Sequence, residues 1–363
     1  MLYLAFLCAM CYNILIKKRR GRMRTYLLPQ GGRFYKANLH CHTTVSDGRL
    51  SPEEVKRAYM AHGYSIVAYT DHDVMIDHSE LAEDGFLPLR GYEMEINESA
   101  HTGSLLRHLK TCHMCLIALD PDVTRQVCWH REKYVPRQAA AFRDKVDFDR
   151  RLPDYERIYT CAGISDMMQK GRAGGFFVTY NHPAWSREGA AEYLGYSGMH
   201  AMEICNWSGL AAGHEDYAPY IYDDMLRHGK RIYCISADDN HNNKSDPYED
   251  SFGGFTMVKA ERLEYRTIAK ALLDGHFYAS QGPEIHELYV EDGRVHITCS
   301  PARQISIATG ARCNESVWER DGKLLTGASF QLLPDCDYFR LTVTDAEGRH
   351  ANTNAYFMDS LNK

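Results

Sequence analysis

The chain has 363 residues, with 42 Lys and Arg, 48 Asp and Glu and 18 His, for a formal charge of −6. That length exceeds one small domain and suits one large domain with an appendage. Hydrophobic residues at 44% and charged residues at 25% exclude the disordered and fibrous classes. Twelve scattered cysteines do not read as a disulfide framework. The histidine excess invites a search for metal sites, because neutral imidazole is the commonest metal ligand.

Residues 1–16 are almost wholly apolar (MLYLAFLCAMCYNILI) and are followed at once by Lys17, Lys18, Arg19, Arg20, Arg22 and Arg24. Sixteen helical residues would span about 24 Å, short of the roughly 30 Å hydrocarbon core. No basic region precedes the run and no small-residue cleavage site follows it, so it does not read as a secretory signal. Two readings remain: a weak anchor with its basic cluster on the cytoplasmic side, or an over-long reading frame whose start is Met23. Both place the rest of the chain in the cytoplasm or on the cytoplasmic face of a membrane, and no membrane association of that body is expected. Without residues 1–22 the chain keeps 37 basic against 48 acidic residues, or −11. Such a body is not expected to bind long nucleic acid, which needs a basic face. A small anionic substrate stays open if another source supplies positive charge.

From residue 35 short apolar strands alternate with helix-like stretches, the pattern of an α/β fold. Residues 36–42 (KANLHCH) predict the first strand. Ser51 then N-caps a helix running to Gly63, with Pro52 at its first position and Glu54 completing a capping box. Further strands are predicted at 65–70, 86–96, 113–119, 175–180, 201–205 and 231–236, with helices near 164–172, 217–228 and 262–274. Residues 120–160 form a charged, aromatic-rich insertion without clear period. Seven strand–helix units predict a barrel rather than an open sheet. Residues 284–363 alternate in runs such as IHELYV and YFRLTVTD between Asp-Gly and Glu-Gly turns, predicting a small all-β, sandwich-like unit. The chain therefore divides into a leader (1–22), a barrel unit (23–282) and a C-terminal β unit (283–363).

Metal-competent residues gather at the ends of these strands. The first ends in His40-Cys41-His42 with Asp47 in the loop beyond, and the second in Asp71-His72-Asp73. Glu93 and Glu95 lie in the third, His113 opens the fourth, His182 follows the fifth, and Asp238-Asp239-Asn240-His241 follow the seventh. Singly each has a plain explanation: His113 as a core histidine, His182 as a turn residue before Pro183. Their recurrence at six strand ends points to a metal centre, since the active sites of α/β barrels lie where those loops converge.

The motifs LHCHTTVSDG, AYTDHD, GYEME, NHPAW and SADDNH resemble, in order, the signatures of the PHP (polymerase and histidinol phosphatase) superfamily, over roughly residues 35–280. The resemblance implies a distorted seven-stranded (β/α) barrel holding two or three divalent metal ions. It implies that His40, His42, Glu93 and Asp239 ligate one ion, and that Glu93 bridges to a second held by His113 and His182. Asp47, His72 and His241 would hold the third. The spacing from Glu93 to the next histidine leaves His101 or His108 as replacements for His113.

Nine nitrogen and oxygen ligands without thiolate suit Zn, Mn or Fe. Close cations acidify a bound water and hold phosphoryl oxygens, so the expected chemistry is phosphoester hydrolysis by a metal-bound hydroxide. Asp71, Asp73 and Asp238 are candidates for orienting the histidines, with capping as their plain alternative. Arg49, Arg187 and Lys244 are candidates for clamping phosphate, or else ordinary surface charges. Glu203 and Asn206 either line the pocket or pack at the core edge. The pairs Cys8/Cys11 and Cys112/Cys115 do not read as redox motifs, and His276, His286, His296 and His350 read as surface residues.

The expected substrate is a small phosphorylated metabolite or nucleotide. The alternatives are an exonuclease or nucleoside-bisphosphate phosphatase acting on short nucleic acid, an amidohydrolase-type metal-dependent hydrolase, and a non-catalytic metal-binding scaffold. An amidohydrolase barrel would typically place a modified lysine on its fourth strand, and none stands beside His113.

Overall fold

The computed structural model describes residues 24–98, 109–333 and 335–361. The two readings of residues 1–22, and the reserve ligands His101 and His108, lie outside the described residues. The chain is a mixed α/β protein built on a fourteen-stranded sheet and a four-stranded one.

After β1 (Thr25–Tyr26) and β2 (Arg33–Asn38) comes α1 (Pro52–Ala61). Ser51 Oγ accepts from the Glu54 amide at 3.3 Å while the Ser51 amide donates to Glu54 Oε2 at 2.8 Å, closing the predicted capping box. Val55 and Tyr59 bury the inner face, and Gly63 ends the turn at φ 78°. Strands β3 (Ile66–Tyr69), β4 (Leu87–Asn97) and β5 (Thr111–Ala118) follow. Then come α2 (Cys161–Ala173), β6 (Phe176–Tyr180), β7 (Ala201–Asn206), α3 (Pro219–Arg227) and β8 (Tyr233–Ala237).

The strand–helix repeat expected from the sequence is broken at β5, which runs antiparallel to both β4 and β6, while β2–β3–β4 and β6–β7–β8 are parallel. An antiparallel neighbour needs no crossover helix. Its reversal brings the beginning of β5, with His113, to the rim where the parallel strands end. At that rim the extensions of β2 and β8 meet. The Asp239 amide donates to the His40 carbonyl at 2.9 Å, and the His42 amide to that of Asn240 at 3.1 Å. The Asn38 side chain adds a 3.0 Å bond to Asn240 Oδ1.

Two further strands are absent from the sequence reading: β9 (Phe255–Ala260) and β10 (Phe277–Ser280), either side of α4 (Tyr265–Leu273). β9 pairs with β2 and with β10. Its approach depends on Gly254, where a Cβ would lie 2.4 Å from the Ala237 carbonyl oxygen. From β11 (Ile285–Glu291) to residue 357 the regular elements are all strands, as the alternation predicted. The large sheet nevertheless continues past residue 283, because the strand His350–Thr353 pairs with β10. Leu288, Val295, Ile297 and Phe330 of the smaller sheet pack against Ile305, Phe339, Leu341 and Val343 of the larger one. Of the four histidines expected at the surface, only His286 is fully exposed; His350 is half-buried, stacked on Tyr217 at 4.4 Å.

The 120–160 insertion contains one 3-10 helix, Arg137–Lys145, and otherwise loops. Trp129, Ala139 and Val146 form a core with Val45 and Val74, which lie on the loops beyond β2 and β3. The insertion is therefore packed against the loops that carry the candidate ligands. No helix among the described residues is long and apolar enough to cross a membrane.

Candidate metal centre

The rim gathers all nine candidate ligands. His40 and His42 lie two residues apart, so both imidazoles leave the same face of the chain. His40 Nε2 lies 3.2 Å from Glu93 Oε1 and 3.2 Å from Asp239 Oδ1. His42 Nε2 lies 3.3 Å from Glu93 Oε2, 3.0 Å from Asp239 Oδ1 and 3.1 Å from His40 Nε2. A tetrahedral ion with bonds of about 2.0–2.1 Å separates its ligands by about 3.3 Å, which these spacings match. Asp239 Oδ1 is buried with no hydrogen-bond partner, and so is His72 Nδ1. Buried polar atoms without partners are costly, and cations bound within this cluster would supply partners for them. The donor set fits a divalent metal.

Around the other side of Glu93, His113 Nδ1 lies 3.2 Å from Oε1 and His182 Nε2 3.4 Å from the same oxygen. The expected trio does not close into one ligand group: Glu93 and His113 group with His72, and His182 with His40 and Glu203. The third expected group is looser: Asp47 carboxylate oxygens lie 3.7 Å from His72 Nε2 and 3.5 Å from His241 Nε2. His42 also falls within this third group, a sharing the sequence did not suggest. His182 and Asp239 both adopt positive φ, 24° and 54°, and strain of that kind collects at functional sites.

Burial opposes charge on Glu93 and Asp239, yet the surrounding imidazoles, His40 foremost, hold both carboxyls below their ordinary range. Burial and the neighbouring His42 push His72 down to about 3, leaving a neutral ring able to donate a lone pair. Cys115 lies within 4.8 Å of His40 and Glu93 ligand atoms. Burial raises its thiol pKa, while Asn181 Nδ2 donates to its sulfur at 3.2 Å.

The groups behind the ligands differ from those expected. Glu203 Oε1 accepts from His40 Nδ1 at 2.7 Å, and its Oε2 takes the His182 amide and Asn206 Nδ2, each at 2.9 Å. That bond fixes the tautomer that leaves His40 Nε2 free. Replacing Glu203 by alanine is expected to weaken metal binding about 10–100-fold, measured by competition with a calibrated chelator; unchanged affinity would remove Glu203 from this role. An acidic residue inside the otherwise apolar AMEIC run was the available sequence signal. Asp71 does not touch a histidine. It binds the Thr43 and Ser46 amides and hydroxyls at 2.7–3.1 Å, shaping the loop whose Ser46 Oγ lies 3.4 Å from His42 Nδ1. Gly48 closes that loop, since a Cβ there would lie 2.6 Å from the His42 carbonyl.

Asp238 also serves the backbone. It accepts from the amides of Phe252, Gly253 and Gly254 and from the Tyr59 hydroxyl, at 2.8–3.0 Å. Asp73 pairs at 2.5 Å with the buried Arg157 of the insertion, whose Nη1 donates to the Glu95 carbonyl at 2.7 Å. Arg157 thus ties together the residue after His72 and the residue two beyond Glu93. Nothing in its sequence surroundings marked it.

A cavity of about 380 Å³ opens over the centre, lined by Asp47, Glu93, Glu95, Asp239 and the histidines on one side and by Trp185 and Pro136 on others. Arg49, Arg187 and Lys244 are exposed and are not among its lining residues. Among the described lining residues four are carboxylates and none is Lys or Arg, so bound cations are what would make this cavity receptive to an anion.

Fold and rim together define a mixed α/β protein with a buried cluster of His, Glu and Asp side chains able to hold divalent metal. No protein-family model matches the chain. It is 48% identical over 67 residues to a 5'-3' exoribonuclease of Haemophilus influenzae, a match covering 17% of this chain and 24% of that relative. The chain therefore spans about a quarter of that protein's length. Among solved structures it is similar to a two-domain protein of Bacteroides vulgatus described as containing a predicted PHP-like metal-dependent phosphoesterase (16% identity, TM-score 0.45, 93% of this chain and 99% of the other). Two more are a protein of Bifidobacterium adolescentis described as a candidate metal-dependent phosphoesterase (17%, TM-score 0.34, 59% and 89%) and an amidohydrolase of Chromobacterium violaceum with bound sulfate (19%, TM-score 0.38, 58% and 89%). The description of the first of these carries the name of the superfamily whose signatures the motif set resembles.

Proposed function

We propose that the protein is a metal-dependent phosphoesterase that hydrolyses the phosphate ester of a small metabolite or nucleotide, using two or three divalent ions drawn from Zn, Mn or Fe. One observation carries this reading: His40 Nε2 and His42 Nε2 each lie 3.0–3.3 Å from a Glu93 oxygen and from Asp239 Oδ1, a buried oxygen with no hydrogen-bond partner. Divalent ions held there lower the pKa of water and neutralise phosphoryl oxygens. Glu93 and Asp239 supply the charge that holds them, Glu203 orients His40, and Asp71 shapes the loop carrying Ser46 and Asp47. Water adds to phosphorus as the ester P–O bond breaks, and one proton of that water ends on the departing alkoxide to give the free alcohol and phosphate.

The meeting of β2 and β8 at the rim supports reading β2–β8 as a distorted seven-stranded barrel, and the C-terminal core cluster supports a β unit from residue 283. The ten cysteines among the described residues are free, which suits a reducing compartment such as the cytoplasm.

The full chain, purified with its metal, is expected to contain at least two ions per molecule by elemental analysis and to release phosphate from a phosphoester panel. Release of amine from an amide panel with no phosphate release would favour the amidohydrolase reading instead. Full metal content with neither activity would favour a scaffold. Stripping the metal is expected to lower the thermal midpoint, and metal at about 100 times its Kd to restore roughly 2.7 kcal/mol. A midpoint indifferent to chelator would argue against a buried centre.

A further inference from the structure

Trp185 is the one large aromatic side chain among the described lining of the cavity. Its ring centroid lies 5.2 Å from that of His113 and 4.9 Å from that of His182, edge to face with both, yet the residue remains 41% exposed. The loop that presents it is held from behind. The buried Asp216 carboxylate accepts the Ala184 and Trp185 amides, each at 3.2 Å. Gly209 packs so tightly on Asp216 that a Cβ would lie 2.1 Å from its Oδ2. Gly209 and Ala212 leave room on the neighbouring wall. A tryptophan fixed in this way, one ring removed from two candidate ligands, is a surface on which a flat ring stacks.

Charge narrows the ligand further. Asp47 and Glu95 keep 40% and 32% of their side chains exposed at the mouth. No Lys or Arg is among the described lining residues. A phosphate seated on the ions is neutralised there, whereas a second phosphate or a continuing polyanion would face carboxylates.

We infer that Trp185 is the specificity-determining residue for a phosphate monoester bearing a flat ring close to its single phosphate, such as a nucleoside monophosphate. The inference rests on the phosphoesterase reading. Metal-loaded full chain is to be assayed with adenosine 5'-monophosphate, ribose 5-phosphate and adenosine 3',5'-bisphosphate. The ring-bearing monophosphate should show the highest kcat/KM. Its ratio to ribose 5-phosphate should fall about tenfold in Trp185→Ala, the scale of one base–aromatic stack, and be largely kept in Trp185→Phe. Adenosine 5'-monophosphate should also quench tryptophan fluorescence in the wild type and not in Trp185→Phe.

An equal loss toward both monophosphates in Trp185→Ala would overturn the inference, since the ring would then only support His113 and His182. Preference for the bisphosphate would overturn it as well. If none of the three is hydrolysed while other members of the phosphoester panel are, the inference is overturned and the phosphoesterase reading stands. If the whole panel is inert, that reading fails, and the fluorescence titration alone decides: quenching retains the ring seat, and its absence removes it.

Discussion

An Asp239→Asn protein is expected to lose bound metal and nearly all hydrolysis. The substitution keeps the shape of the side chain but removes the negative charge shared by His40 Nε2 at 3.2 Å and His42 Nε2 at 3.0 Å. It also leaves Oδ1, which has no other partner, without the charge that holds a cation. Removing a hydrogen-bond partner behind a ligand costs about 10–100-fold in affinity, and removing the ligand itself should exceed that. Glu93→Gln should do the same to a greater degree, because Glu93 faces His40, His42, His72, His113 and His182 at 3.2–3.4 Å. Elemental analysis and turnover of a generic phosphoester read both effects. Wild-type metal content and rate in either variant would falsify the centre as drawn.

Arg157→Met is expected to be the most destabilising change outside the ligands. Arg157 and Asp73 have side chains only 2% and 1% exposed and pair at 2.5 Å. Removing one partner of a buried pair leaves an uncompensated charge and costs about 3–5 kcal/mol. Asp73 sits at φ 57°, a conformation asparagine tolerates. Adding Asp73→Asn to Arg157→Met should therefore remove the stranded charge and recover most of the loss. Thermal unfolding in chelator measures the stability term free of metal. The loaded Arg157→Met protein should in addition bind metal more weakly, since Asp73 follows His72 directly. A single variant as stable as wild type, or a double variant worse than the single, would show that the pair does not hold the insertion in place.

Both results turn on residues of very different legibility. The candidate ligands were legible as a set because metal chemistry demands particular residue types, and a folded chain brings such residues together by placing them at strand ends. His40-x-His42, Glu93 and Asp239 follow that logic one strand at a time, and α1 was readable because Ser51, Pro52 and Glu54 carry out local chemistry. Glu203 was noticed without its role, since only the fold places its carboxylate 2.7 Å from His40 Nδ1. Asp73 and Asp238 looked like partners of histidines by adjacency alone. Their carboxylates instead satisfy Arg157 and the 252–254 amides, contacts made across 84 and 14–16 residues of chain.

By itself, then, the sequence determined the α/β class, the identity of the candidate ligands, the capped first helix and the β character of the C-terminal region. Each follows from residue chemistry or from periodicity over a few neighbouring positions. Only the tertiary structure decided that β5 runs antiparallel, that β9 and β10 carry the sheet on into the C-terminal strands, and that an insertion braces the rim through one buried arginine. Only it left Arg49, Arg187 and Lys244 outside the cavity and set Trp185 inside it. Strand direction, long-range ion pairs and the facing of a loop depend on which distant surfaces bury one another, and no local pattern encodes that choice.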